Sequence, residues 1–223
     1  MSCHKDKEVA FFGKITAGTT HEINNVLAII KEASGLLEDI LSLTGEDAFP
    51  HKNKFEITLN RIFGQIQRGV AITNNLNRFA HSPDHSPSSI DLNEVAEQMA
   101  LLSSRFARLK NVDLETGPKD GPLIIKTHLV SLQMVLFITI ELFLDLTKFG
   151  GRIILSPRKI QNKYVVGIHF ESKTPGDADL FQAIISSDRW ESLQEIMAYL
   201  GGTAQVDKFA PEILLYFTEA INK

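Results

Sequence analysis

Two long stretches early in the chain carry apolar residues three and four apart, whereas the remainder changes period repeatedly. The first, from about Glu8 to Leu43, sets Phe12, Thr16, Thr19, Ile23, Val26, Ile30, Leu37 and Leu41 on one face of a helix. The turn formers Thr44-Gly45-Glu46-Asp47, with Pro50 beyond them, end that helix. A second run, roughly Lys54 to Phe79, repeats the pattern with Phe55, Leu59, Ile62, Ile66, Val70 and Leu76. Two long helices joined by a short turn make an antiparallel hairpin. A lone hairpin leaves much of its apolar stripe wet, so two copies are expected to pair into a four-helix bundle, making the protein a homodimer.

After residue 81 the stretch His81-Ser-Pro-Asp-His-Ser-Pro-Ser-Ser89 has two prolines, four serines and no apolar side chain, the composition of a linker. His81 and His85 are read as solvated linker histidines, because no cysteine or further clustered ligand lies near them. Beyond the linker, Asp91 with Glu94 three residues on predicts the cap of a helix running to about Leu109. Short β-compatible pieces follow at Val112 to Glu115 and Leu123 to Lys126. Thr127 is expected to cap an apolar helix that ends near Thr147. Strands are then expected at Arg152 to Ser156 and Lys163 to Glu171, a helix at Trp190 to Leu200 that stops at Gly201-Gly202, and strands at Thr203 to Asp207 and Glu212 to Thr218. The fold class is therefore α+β. A helical hairpin (1–81) and a linker (82–89) precede an α/β sandwich (90–223) with helices on one face of a mixed sheet.

Composition narrows the function. The chain has 223 residues, is 43% hydrophobic and 22% charged, and carries a formal net charge of -4. That balance suits a chain able to bury a core and offers no basic footprint for nucleic acid. Cys3 is the only cysteine, which excludes an internal disulfide and fits a reducing compartment. The polar start, Met1 to Glu8, is unlike a secretory signal. Leu129 to Leu146 is apolar enough to span a membrane but contains Gln133, Glu141 and Asp145, so a buried helix is expected instead. A cytoplasmic location with no membrane contact follows as an expectation.

The candidate chemistry sits on the first helix. His21 lies about 180° from the centre of the apolar stripe and is expected to face solvent. Its face carries Lys14, Gly18, Asn25, Ala28 and Glu32, and the surface from Lys14 to Glu32 is the expected docking face for another protein. Gly18 costs a mid-helix position roughly 1 kcal/mol relative to alanine, which suggests close approach of a partner backbone or a mild bend.

Phe11-Phe12-Gly-Lys-Ile-Thr-Ala-Gly-Thr-Thr-His21-Glu22-Ile23-Asn24-Asn25 resembles the H-box of sensor histidine kinases, in which the histidine is phosphorylated. Arg78-Phe79-Ala80 is similar to the end of the same family's dimerisation and phosphotransfer hairpin. Ile90-Asp-Leu-Asn-Glu-Val95 and Lys110-Asn-Val-Asp-Leu114 resemble the opening of its ATP-binding domain. The nucleotide boxes depart from the family. Positions that hold two asparagines four apart in the N-box correspond here to Phe137 and Glu141. Phenylalanine offers no polar atom, and Glu141 repels phosphate unless a cation intervenes. Ser172 stands where the adenine-recognising aspartate is expected, ahead of Lys173-Thr-Pro-Gly176. The stretch from there to Trp190 is short for the family's lid, and Ser187-Asp188-Arg189-Trp190 replaces a glycine-rich helix opening.

An H-box beside a degenerate ATP-binding fold resembles the stand-alone dimeric histidine phosphotransferases of bacterial phosphorelays. The resemblance implies that His21 exchanges phosphate with receiver-domain aspartates. It also implies that Glu22 orients the imidazole and that Asn25 meets the phosphoryl oxygens. Family phosphatases place an acid and an Asn or Thr three residues apart, a spacing shared by Glu22 and Asn25, while Asn24 points sideways. The receiver brings the aspartate and Mg²⁺, so no cofactor or metal of the chain's own is expected. An active kinase with a diverged nucleotide site, and a non-enzymatic module that binds a receiver or pairs with a kinase hairpin, are the other readings.

Overall fold

The computed structural model describes residues 2–43, 52–82, 87–119, 121–147, 150–172, 180–207 and 210–218. The expected turn at 44–50, His85 and residues 173–176 lie outside these. Helix α1 (Ser2–Leu43) and helix α2 (Lys52–Ala80) run antiparallel: Phe79 meets Phe11 at 5.3 Å between ring centroids, Arg68 bonds Glu22, and Gly69 lies against Val26. Both helices start earlier than their apolar patterns do, because the polar residues before the pattern carry no breaker.

Strand β1 (Ser88–Asp91) leads into helix α3 (Leu92–Leu109), which is followed by β2 (Val112–Thr116) and β3 (Ile124–Thr127). Helix α4 (Leu129–Leu146), strands β4 (Gly151–Ile160) and β5 (Lys163–Ser172), helices α5 (Leu180–Ile185) and α6 (Asp188–Tyr199), and strands β6 (Thr203–Val206) and β7 (Glu212–Phe217) complete the order. The five-stranded sheet runs β2-β4-β5-β7-β6, with β2 and β4 parallel and every other pair antiparallel, while β1 and β3 pair separately. The fold is α+β: a helical hairpin followed by a mixed sheet with helices on one face.

Alternation along the strands sets that face. Ile153 and Leu155 on β4, Val166, Ile168 and Phe170 on β5, and Ile213, Leu215 and Phe217 on β7 all point into one core. Against them lies α4, whose Leu132, Leu136, Ile140 and Phe143 are fully or almost fully buried. Among the described residues α4 alone is long and apolar enough to cross a membrane, and most of it is buried in this core. Its buried residue Gln133 is bonded through the amide nitrogen, while the carbonyl oxygen has no hydrogen-bond partner. The amide nitrogen donates to Ser82 Oγ at 3.0 Å and to Gln98 Oε1 at 3.1 Å, tying the end of the hairpin to α3 and α4.

Local chemistry accounts for the boundaries. Asp91 caps α3, its carboxylate accepting from Asn93 N at 2.9 Å and Leu123 N at 3.2 Å. Glu94, expected to return to the cap, instead lies 3.8 Å from Arg78 of α2. Thr127, expected to cap α4, ends β3; His128 takes the cap position with no side-chain bond to the helix. Helix α6 stops at Gly201, where φ of +70° suits glycine. Helix α5 and strand β1, whose Ser88 and Ser89 fall in the expected linker, are elements that the sequence pattern does not reveal, being too short to show a period.

The hairpin and the sandwich share one core. Phe11, Ile15 and Phe79 belong to the same buried cluster as Leu132, Met134 and Phe137. The stripe expected on α1 is thereby corrected. Thr19, Val26 and Leu37 are buried as expected, but Phe11 and Ile15 take the inner positions while Phe12 is half-buried and Thr16 and Leu41 are exposed. The physical reason is a second neighbour: α1 packs on α2 along one line and on the sandwich along another.

Candidate functional site

His21 is exposed on α1, as its helical position predicts, and Asn25, Ala28 and Glu32 are exposed on the turns that follow. Asn24 is exposed as well. Upstream, Thr19 and Thr20 return their hydroxyls to the helix, donating to Ile15 O and Thr16 O at 2.8 Å each. Two residues of the expected docking face lie elsewhere. Gly18 is buried: a Cβ built there comes within 2.7 Å of Phe106 Cζ on α3. The close approach inferred from a mid-helix glycine is therefore real, but the approaching group is an aromatic ring of the same chain. Lys14 keeps an exposed flank, yet its ammonium is paired with Glu141 and sits 5.7 Å and 5.6 Å from the ring centres of Phe106 and Phe137.

Glu22 is 5% exposed. Its carboxylate accepts from Arg68 Nη2 at 2.9 Å, is paired with Arg108, and lies 4.0 Å from Arg105 Nη1. Burial of a carboxylate is tolerable only with such partners, and removing one partner of a buried pair costs about 3–5 kcal/mol. Glu22 thus points into the boundary with α2 and α3, about 100° around the helix from the exposed His21. None of the three arginines stands out in the sequence. The usable signal is Arg105 and Arg108, three apart on one face of α3, which only a known neighbour turns into a site.

The positions expected to correspond to the nucleotide boxes form the other half of the boundary. Phe137, 2% exposed, packs on Phe11 of α1 at 5.4 Å and on Phe106 at 5.5 Å between centroids. Glu141, 8% exposed, receives Lys14 from α1, and Arg189 Nη1 from α6 at 2.5 Å. Arg189 Nε also reaches Asp145 Oδ2 at 2.8 Å. The cations that Glu141 needs are therefore both side chains of this chain. A cavity of about 320 Å³ remains between Lys7, Phe11, Lys14, Phe137, Glu141 and Arg189. At the start of α6, Ser187 accepts from Trp190 N at 3.2 Å, and Asp188 and Glu191 occupy the first turn. Acids there complement the helix dipole and repel a phosphate. Lys7 bonds Glu195 Oε2 of α6 at 2.7 Å, and that hydrogen bond, with the ammonium charge, holds the exposed carboxyl below its ordinary pKa. Among the described residues no group of three or more His, Cys, Asp and Glu could hold a metal ion.

No family model matches the sequence, and no curated protein matches it. Among solved structures the chain is similar to the histidine kinase AdeS of Acinetobacter baumannii. The identity is 13% over 91% of this chain and 98% of that one, with a TM-score of 0.48. The catalytic domain of histidine kinase ThkA is 16% identical over 60% of this chain and 98% of that one, TM-score 0.48. A structure of ThkA in complex with the response regulator protein TrrA is 16% identical over 95% of this chain and 63% of the kinase chain, TM-score 0.48. These structural neighbours are histidine-kinase domains.

Two glycines of α1 separate packing from helix propensity. Gly13 has nothing within 4 Å of a built Cβ, so Gly13→Ala should raise unfolding free energy by about 0.5–1 kcal/mol. Gly18→Leu drives side-chain atoms into Phe106 and should lower it by roughly 1–3 kcal/mol despite the better propensity. Denaturant titration of both variants measures the difference; equal shifts of the same sign would mean that α3 does not rest on α1.

Proposed function

We propose that this chain is a histidine phosphotransfer protein of a two-component phosphorelay, exchanging phosphate between His21 and receiver-domain aspartates without using ATP. The observation that carries the proposal is the contrast between two sites. His21 is exposed, while Phe137 and Glu141, at the positions of the nucleotide-binding asparagines, are taken up by Phe11 and Lys14 of the hairpin. A nucleotide phosphate approaching Glu141 must displace Lys14 and Arg189 and leave a carboxylate with little solvent unpaired.

The reaction needs little from this chain. A neutral imidazole nitrogen of His21 attacks the phosphorus of a phosphoaspartate in line. The nitrogen lone pair forms the N–P bond as the P–O bond breaks, the aspartate carboxylate leaves with the electron pair, and the ring's other nitrogen loses its proton to water. Mg²⁺ comes with the receiver. Asn25, one turn beyond His21 and exposed like it, is the residue that donates to the phosphoryl oxygens in this reading. Ala28 and Glu32 continue the face on which a receiver rests, and Lys14 borders it. Glu22, held by its arginines, serves as an anchor of the H-box rather than as the group that orients the imidazole.

The working unit is a cytoplasmic homodimer. Leu59, Phe63, Ile66 and Val70 make an apolar stripe on α2 that is 44–61% exposed, and Leu27 and Leu41 on α1 are 57% and 53% exposed. Stripes at helical spacing on both helices of a hairpin suit a second hairpin of the same kind.

Incubation with phosphorylated receivers should place acid-labile phosphate on the wild type and none on His21→Ala, with no labelling from Mg·ATP. Labelling from ATP, or no labelling from any receiver encoded beside it, would overturn the proposal. In sedimentation equilibrium the wild type should run as two copies and Phe63→Asp as one, since each buried phenylalanine contributes about 1.5–3 kcal/mol; a monomeric wild type would remove the dimer.

A further inference from the structure

Three guanidinium groups from two sides of the boundary converge on the carboxylate of Glu22, the residue that follows His21 in the chain. Arg68 reaches Glu22 from α2, and Arg105 and Arg108 reach it from α3. Neutralising Glu22 takes one cation, so the cluster keeps surplus positive charge, and arginine holds its charge at any working pH. That charge is not sealed in: the side chains of Arg68 and Arg108 are 41% and 49% exposed, and that of Arg105 is 24% exposed. The opposite carboxylate oxygen, Glu22 Oε1, is buried without a hydrogen-bond partner, so Glu22 does not use its full capacity to engage the arginines.

Gly18 fixes where the charge sits. Phe106 lies between Arg105 and Arg108 in sequence and touches Gly18, which is one helical turn before His21. The last turn of α3 is thereby pinned to α1 beside the histidine. A phosphoryl group on His21 brings negative charge spread over three oxygens to this place. Planar guanidinium forks match such a group better than any other side chain.

We propose that Arg105 and Arg108 of the second domain, together with Arg68, are positioning residues that hold the phosphoryl group carried by His21, with Glu22 balancing them while His21 is unmodified. This rests on His21 being the phosphorylated residue. The second domain, on this view, has exchanged nucleotide binding for a part in holding the phosphohistidine. The bonds made and broken are those of the transfer above; the arginines add hydrogen bonds to the phosphoryl oxygens and take up no proton.

The test uses chemical phosphorylation of the full chain by phosphoramidate, which needs no receiver. Wild type, Arg108→Ala, Arg105→Ala/Arg108→Ala, Arg108→Lys and His21→Ala are labelled, and the decay of acid-labile phosphate is followed with the thermal midpoint. The double alanine variant should lose its phosphate about tenfold faster than wild type, the effect of one charge-assisted hydrogen bond at a half-exposed site. Arg108→Lys should recover part of the lifetime. Should the double variant fail to fold, Glu22→Gln keeps the shape and removes the competing charge, and its phosphate should outlive that of the wild type. An unchanged decay in the folded double variant, a Glu22→Gln lifetime no longer than wild type, or failure of phosphoramidate to label His21 would each overturn the proposal. Wild type labelled by phosphoramidate but by no receiver would sink the phosphorelay reading alone.

Discussion

A carboxylate cut off from water has to find cations, and the boundary between hairpin and sandwich contains two that depend on each other's side. Glu22 belongs to the hairpin and takes Arg105 and Arg108 from the sandwich; Glu141 belongs to the sandwich and takes Lys14 from the hairpin. Separating the two bodies strips both carboxylates of partners at once, whereas neither body alone has a complete set. Ion pairs of this kind add modest net stability but penalise every arrangement that breaks them. Specificity of docking is what they supply here, on top of the apolar contacts of Phe11, Ile15, Phe79, Phe106 and Phe137.

That exchange sets what the outward positions of α4 do in this fold. The helix that carries Phe137 and Glu141 still packs its Leu132, Leu136, Ile140 and Phe143 on the sheet. Its outward positions, Phe137 and Glu141, face Phe11 and Lys14 of α1. The same docking leaves the adjoining side of α1 open, so His21, Asn25, Ala28 and Glu32 remain on the surface. One helix serves two ends: its inner line holds the sandwich and its outer line presents the histidine.

Sequence pattern read the long periodic elements well, because a helix or a strand repeats its apolar residues at its own period whatever it packs on. The hairpin, the mixed sheet and its strand order of appearance, the Asp91 cap and the stop at Gly201-Gly202 were all legible in this way. What it could not read was partnership. Gly18 announces a close approach but not by whom; Phe106 lies far along the chain. Glu22 reads as a solvated helix charge or a catalytic acid until Arg68, Arg105 and Arg108 are brought to it. Glu141 reads as a defect in a phosphate site until Lys14 and Arg189 turn it into a clasp. Each misplacement comes from contacts between residues distant in sequence, which periodicity does not encode.

The central claim is that Phe137 and Glu141, with their partners on α1, hold the sandwich to the hairpin in one fixed arrangement. Spin labels at Glu38→Cys on α1 and Asp113→Cys on β2, in a Cys3→Ser background diluted with unlabelled chain, report that arrangement through the distance between them. A single narrow distance distribution, unchanged by saturating Mg·ATP, is the expected result. A broad distribution, or one that shifts when nucleotide is added, would contradict the account.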